Sequence, residues 1–523
     1  MEAMRKTLRD SAPMRWLMLV LISMLMLSTY WFQDFFGGLK GLMETELGFT
    51  SEEFGRLIGL TTIANIFGMI IVGGIVLDKW GVRRAGLIFG SLAVVGATIT
   101  ALATAGVFGD GHRIQLNMMI LGRVLFGSGL EVVCVVVTRS VVKWFKGYEL
   151  ALAMAISMGF GRLGSAMGLA LSIDIGKGSV APAVAFAATL IGISLIIFLV
   201  YMVFDYTLDK QDKKIRSDSG IAENEEEFKF ADLIALVKNR SFMFIALLCV
   251  SFYAAVFPFI QYAPDLLVNK FGFSYDLPVS ADYFNLFGNQ SLGTVAIYLG
   301  LFIFGLAFSM IPAKMKNIGS RIASIVILAV LFVLFLKGLW GTLSVWLQNG
   351  PKTASLIPMG TILFTPIFGA YVDKKGKAAS LMILGALLLI FAHISLSLFN
   401  SVVLGYFGLL SLGIAFSLVP AAMWPSVAKI VAEKRLGTAY ASMFTIQNWG
   451  LLLFFWGIGA VLDLANKKDI EAIRAGEMTY NYTVPIFMLV VLGVISIFLA
   501  LQLKKADAKQ KFGLELPSGE TPE

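Results

Sequence analysis

Two residues stand out as candidates for chemistry, Glu131 and Arg162. Each is a lone ion near the middle of a long apolar stretch. The first lies in GRVLFGSGLEVVCVVVTRS, starting at Gly122, and the second in ALAMAISMGFGRLGSAMG, ending at Gly168. The basic turn VVKWFKGYEL joins the two. A charge at the centre of a membrane helix costs roughly 2.5–3.5 kcal/mol on insertion scales, so it faces a partner or a wet cavity. Two readings follow. The pair forms a binding site with one negative and one positive pole, or it is an ion pair that locks two helices together.

Other polar and aromatic groups recur at similar depth. They are Tyr30, Gln33 and Asp34 in the first apolar run, and Thr61, Thr62 and Asn65 in the second. Later runs add Tyr253, Gln261 and Tyr262, then Trp424, then Gln447, Asn448 and Trp449. Any single aromatic here is as readily explained by helix packing or an interfacial belt. Asp34 is expected near the outer end of its span, where it would be solvated. Pro258 and Pro425 are expected to mark kinks. His393 is read as a packing residue rather than a proton relay.

The elements that must hold these residues are membrane helices. The chain has 523 residues, 58% hydrophobic and 15% charged, with a mean hydropathy of +0.81. A soluble domain of that size needs a far more polar surface. The apolar runs do not alternate with polar residues as a membrane barrel would. They are long enough to span a bilayer as helices. The expected spans are 16–35, 57–77, 85–106, 116–138, 150–173, 181–204, 242–268, 356–372, 379–398, 404–428, 438–462 and 484–503. Two more runs, 295–311 and 322–339, lie in an insertion between the seventh and eighth. The fold class is therefore an all-α polytopic membrane protein with fourteen transmembrane helices, and the bilayer is its first partner. The first span follows Arg5, Lys6, Arg9 and Arg15 and is read as retained rather than cleaved.

The net charge of +8 sits in short turns and reads as topology rather than as a nucleic-acid surface. Lys79, Arg83 and Arg84, then Arg139, Lys143 and Lys146, then Lys374, Lys375 and Lys377, then Lys429, Lys434 and Arg435 fall in alternate turns. METELGFTSEEF after the first span is acidic, and residues 275–293 hold no Lys or Arg. Both termini are thus expected in the cytoplasm. Lys314, Lys316 and Arg321 place the turn of the inserted hairpin there too. The expected domains are a six-helix bundle over 1–204 and a linker over 205–240 that ends in an amphipathic surface helix. The first helix of a second bundle over 241–274, the inserted hairpin over 275–351, the rest of that bundle over 352–505 and a tail over 506–523 follow. Cys134 and Cys249 lie in apolar runs and give no disulfide framework or metal site. No metal or cofactor is expected. Nor is an enzyme, since no phosphate loop or nucleophile motif is present.

One motif occurs twice. Gly74, Asp78, Lys79 and Gly81 recur as Gly369, Asp373, Lys374 and Gly376, each time where a span enters a basic turn. Glycine lets helices approach, Asp can cap a neighbouring helix, and the basic residues, with Arg83 in the first copy, hold the turn at the lipid surface. Two copies at the same place in two six-span halves mark a duplicated transporter.

This repeated turn resembles the signature of the major facilitator superfamily. GRVLFGSGLE, WFKGYEL, GRLGSAMG, VFPFI, NKFGFS, MWPSVAKIV and LGTAYASMFTIQNWG are similar to its lysosomal dipeptide transporter branch. The resemblance runs from about residue 18 to 503 and departs at the 275–351 insertion, which that branch lacks. No dileucine-type sorting signal stands near the N-terminus, so a bacterial inner membrane is expected, or a lysosomal one in a eukaryote. The resemblance implies two six-helix bundles and a uniporter of short peptides, mainly dipeptides, working by alternating access. It puts the branch's central acidic and basic residues at Glu131 and Arg162. By analogy with superfamily cavities, Tyr30, Asp34, Tyr253, Gln261, Tyr262, Trp424, Gln447 and Asn448 join them as substrate-binding candidates. The doubled motif is expected to gate. Competing readings are a proton- or anion-coupled carrier of small organic anions, and a receptor or assembly subunit in which the two ions only pair. An accessory subunit is left open.

Overall fold

Long apolar runs with polar caps produce the helices of this chain, as seen in a computed structural model that describes residues 7–219, 235–278, 283–432 and 435–517. The first span is two helices end to end, α1 (Ala12–Asp34) and α2 (Phe36–Glu46). The second is broken. α3 (Ser51–Gly59) and α4 (Ile63–Ile66) precede α5 (Met69–Thr104). α6 (His112–Phe145), α7 (Leu150–Gly176) and α8 (Val180–Ser219) complete the N-terminal bundle. The C-terminal bundle opens with α9 (Arg240–Phe271). The insertion holds α10 (Gln290–Lys314), α11 (Ile318–Gly338) and the short α12 (Trp340–Trp346). Then come α13 (Gly350–Lys375), α14 (Ala378–Leu398), α15 (Val402–Ile430), α16 (Leu436–Ala465), α17 (Ile470–Arg474) and α18 (Thr483–Gln510).

Among the described residues, 13 helices are long and apolar enough to cross a membrane. One of them, α5, holds the end of the broken second span and the whole of the third, joined at Gly81, whose φ of 75° and ψ of 173° break the helix. That gives the fourteen spans expected.

Several boundaries differ from expectation. The first span continues to Glu46, because Phe35 bends the helix without ending it. This puts Asp34 in the interior, 5% exposed, rather than at a solvated end. The expected linker starts inside α8, which runs on past residue 204. Asp205 is 1% exposed and binds Lys143 and Arg83, so it belongs to the bundle. The amphipathic surface helix falls largely on 220–234, outside the described residues; 235–238 form one turn before Asn239 caps α9.

The insertion begins and ends at one point. Gly350 N–H donates to Ser274 O at 2.9 Å, Ser274 N–H donates to Gln348 O at 3.0 Å, and the Asn349 side chain reaches Tyr275 O at 2.7 Å. Asn289, Asn317 and Asn349 each accept a backbone N–H at the start of α10, α11 and α13. α10 lies against both bundles. Phe302 meets Phe160 of α7 edge-on at 5.5 Å, and Tyr298 bonds Ser355 of α13 while stacking on Trp346 at 5.4 Å. α11 buries only Leu328 and is held by Phe304 and Phe308 against Phe332. Its apolar surface suits lipid. A cysteine at the exposed Lys316 should label only from the side of the basic turns. Labelling from the opposite side would refute the hairpin's topology.

Candidate functional site

Glu131 on α6 and Arg162 on α7 lie around Tyr30 of α1 and Cys134 of α6, and both act electrostatically on those two groups. They do not lock the helices together. Neither has a hydrogen bond or ion-pair partner among the described residues. The Arg162 guanidinium instead rests over aromatic faces of the other bundle, 4.4 Å from Phe416 and 5.9 Å from Phe257. Stacking holds the plane of the group and leaves its N–H donors free. The facing wall is aromatic. Trp424 donates to the Tyr253 hydroxyl at 3.0 Å and stacks on Phe444 at 4.8 Å. Tyr253 stacks on Phe257 at 5.4 Å.

A third ion, Arg123, was missed from the sequence although it opens the same GRVLFGSGLE segment. It is fully buried and donates to Phe32 O at 2.9 Å and Gln33 Oε1 at 3.2 Å, with its charge over Phe36 at 4.8 Å. It therefore pins the end of α1, where the bend at Phe35 frees backbone carbonyls. That bend aims Asp34 across the bundle interface, where it accepts from Gln261 of α9 at 2.9 Å. The break in the second span has a similar support. Gly127 of α6 presses on the carbonyl of Thr61, leaving no room for a Cβ, and its own carbonyl accepts from Asn65 at 3.3 Å. Gly127 is four residues before Glu131, so the close approach shares its helix face.

Other candidates divide by place. Tyr262 is not beside the two ions. It is fully buried, with its hydroxyl donating to Phe455 O at 3.0 Å and reaching Ser51 O at 3.5 Å. Asn448 is 1% exposed and donates to its own helix at Phe444 O, while its backbone carbonyl accepts from Thr62 at 3.4 Å. Gln447 is 6% exposed and accepts from the Cys249 thiol at 3.4 Å. His393 is fully buried edge-on to Phe259 at 5.4 Å, a packing position. Among the described residues no group of three His, Cys, Asp or Glu side chains could hold a metal ion.

Tyr262 belongs to a seal between the bundles at the end opposite the basic turns. Lys40 of α2, fully buried, donates to Asp265 of α9 at 2.8 Å and to Glu44 at 2.6 Å. Asp265 also accepts from Tyr275, Tyr482 and Asn269. Burial and then Asp265 hold the Tyr275 hydroxyl well above its ordinary pKa, so it stays a donor. On the other flank Lys352 of α13 donates to Asp174 of α7 at 2.7 Å and to Ala170 O at 2.9 Å. Asp463 of α16 accepts the backbone N–H groups of Ser51 and Glu52 at the start of α3, where a carboxylate suits a helix N-terminus. All of these contacts lie from the level of the site to the opposite end.

At the basic end the first glycine of each copy of the motif stands open. Gly74 and Gly369 have nothing near where a Cβ would stand. Gly81 and Gly376 take positive φ, 75° and 67°, which accounts for glycine at the last position of each copy. Asp78 does not cap a helix. It pairs with Arg139 at the end of α6, and both are exposed. Arg83 binds Asp209 at 2.9 Å. Lys79 and Lys374 are exposed. If the open faces of Gly74 and Gly369 are where the bundles meet in a second state, Gly74→Val should leave folding within about 0.5 kcal/mol but cut transport at least tenfold. Wild-type transport by that variant would show that no surface closes there.

Comparison with known proteins agrees with this architecture. The model of the Major Facilitator Superfamily matches residues 17–357. The chain is similar to the lysosomal dipeptide transporter MFSD1 of Danio rerio, 24% identical over 471 residues, or 87% of this chain and 82% of that protein. The human protein of the same name is 25% identical over the same shares. Among solved structures it is similar to the nucleoside transporter NupG, with a TM-score of 0.55, 14% identity and coverage of 93% of this chain and 99% of that one. The inward-open xylose transporter XylE from E. coli gives a TM-score of 0.55 and 12% identity over 97% and 98%. At such identities the solved structures speak for the fold. The family match spans well over half of the sequence, and with it this multi-pass membrane protein, a transporter and not an enzyme, belongs to the Major Facilitator Superfamily.

Proposed function

We propose that the chain carries short peptides, above all dipeptides, as a uniporter working by alternating access, with the basic end in the cytoplasm. One observation carries this reading: Glu131 and Arg162 stand at the bundle interface with neither hydrogen-bonded nor ion-paired among the described residues. A zwitterionic dipeptide separates its ammonium and carboxylate by about two residues of extended chain, ~6–7 Å. Glu131 would take the ammonium and the Arg162 fork the carboxylate. Tyr253, Trp424 and the phenylalanines opposite form a wall for side chains without fixing their identity. The names of the similar MFSD1 proteins support a peptide substrate. The bundles are sealed at the opposite end, while the faces of Gly74 and Gly369 at the basic end stand uncovered.

The seal is built to open. When the bundles separate, Lys40 keeps Glu44 on its own helix, and Asp265 keeps Tyr275, Tyr482 and Asn269 on its own side. Neither charge is stranded, so separation costs less than the roughly 3–5 kcal/mol of an uncompensated buried ion. Glu44→Gln should remove that provision and hold the seal shut. A cysteine at Ser51 would then label from the opposite side several-fold more slowly than in the parent. Equal labelling would refute this role for Glu44.

The site itself is tested by dipeptide binding to folded protein. Glu131→Gln should weaken free-amine dipeptides by at least tenfold and N-acetylated ones little. Arg162→Lys should fail despite keeping its charge, because the two-pronged fork is lost. Single amino acids should bind poorly to the parent protein. Unchanged affinity of Glu131→Gln for both peptide forms would end the reading. Uptake into liposomes that needs a pH gradient would replace uniport by proton coupling.

A further inference from the structure

The two bundles hold their basic ends together by different means. In the N-terminal bundle the last turn of α6 carries Lys143, which binds Asp205 at 2.8 Å and Asp209 at 2.6 Å on α8. Arg83, two residues after Gly81, binds the same two carboxylates. In the C-terminal bundle the last turn of α15 carries Lys429. Among the described residues it binds no carboxylate in the corresponding way. Its ammonium donates to the backbone carbonyls of Gly513 at 2.8 Å and Leu516 at 3.0 Å, in the segment after α18. The same segment covers the turn after Gly376. Lys377 N–H donates to Glu515 O at 3.1 Å and Ala378 N–H to Leu514 O at 3.0 Å. The Glu515 carboxylate accepts from Ser380 N–H at 2.9 Å and Ser380 Oγ at 2.7 Å, and lies 3.5 Å from Lys504. It thus caps α14, whose first N–H groups have no partner within the helix. Leu514 is fully buried, and its N–H donates to Asp507 of α18. Gly376 has no room for a Cβ because the Leu516 carbonyl fills the space.

We propose that residues 511–517 are a clasp that takes the place of the Asp205–Asp209 pair. It binds the α13–α14 turn, α15 and α18 into one body at the basic end. The α13–α14 turn carries Asp373 and the open face of Gly369, so a held turn passes the motion of the C-terminal bundle to its partner. A loose turn would yield instead. The inference rests on the alternating-access reading for its consequence, and on geometry alone for the grip.

The test compares the full chain with one ending at Lys511 and with Glu515→Ala, in lipid nanodiscs and without substrate. Amide exchange over 377–380 reads the grip. Spin labels at Lys146→Cys and Lys375→Cys read the approach of the two bundles. Exchange should quicken at least tenfold in the shortened chain and partly in Glu515→Ala, while Glu515→Gln, still an acceptor, stays near the parent. The short-distance population should fall several-fold in the shortened chain. Unchanged exchange would overturn the clasp. Faster exchange with the same distance distribution would overturn its part in the motion and leave a local helix cap. A single distance in the full chain would count against alternating access itself, and exchange would still decide the grip.

Discussion

A charge inside an apolar membrane protein must find a partner or water, and this constraint sorts the ions of the chain. Arg123 finds two oxygens and an aromatic shell. Lys40 finds two carboxylates, and Lys352 finds Asp174 and a carbonyl. Asp205 finds Lys143 and Arg83. Each of these finds partners within the fold, although the Nε of Arg123 has none, and each fixes a helix end or a bend. Glu131 and Arg162, near the middle of their helices, are an exception, with neither a hydrogen bond nor an ion pair among the described residues. On the proposed reading their partners are the two charged ends of the substrate. The other ions make that exception possible: Arg123 fixes the bend of the first span, and the two buried lysines close the end away from the basic turns.

The duplication shows how one plan is met by different residues. Gly81 and Gly376 both take positive φ. Around them the halves diverge, with carboxylates of α8 in one and the carbonyls of a returning segment in the other. A lysine ammonium accepts either arrangement, because it needs oxygen atoms around it more than it needs a particular donor geometry. The repeat therefore conserves backbone shape where only glycine serves, and is free elsewhere.

The number of spans and the duplication were legible in the sequence, since apolar length and the paired motif are local properties. Glu131 and Arg162 stood out there as lone ions, and the structure gives neither a hydrogen bond nor an ion pair among the described residues. Asp34 was misplaced because its helix bends at Phe35 and continues, and nothing in the apolar count marks a bend. Tyr262 has the same composition signal as Tyr253, yet one joins the seal and the other the aromatic wall. Which of them a ligand could meet depends on how two bundles separated by hundreds of residues are apposed. Arg123 was overlooked beside the more central Glu131, although the same cost of burial applied to it. The partners of Lys429 could not be read at all, because backbone carbonyls carry no sequence signature.

The neck at Ser274 and Asn349 has a consequence for how the chain is made. Leaving and returning at one point, the insertion lengthens the path between α9 and α13 without moving either. The conformational cost of such a loop grows only slowly, about 0.6 kcal/mol for each doubling. During synthesis, though, α9 must wait through two further membrane helices before α13 arrives to pack beside it. The hairpin can enter the bilayer early as a self-contained unit of neighbouring helices. It then presents its α10 face, with Tyr298 and Phe302, as a surface on which α7 and the late α13 can assemble.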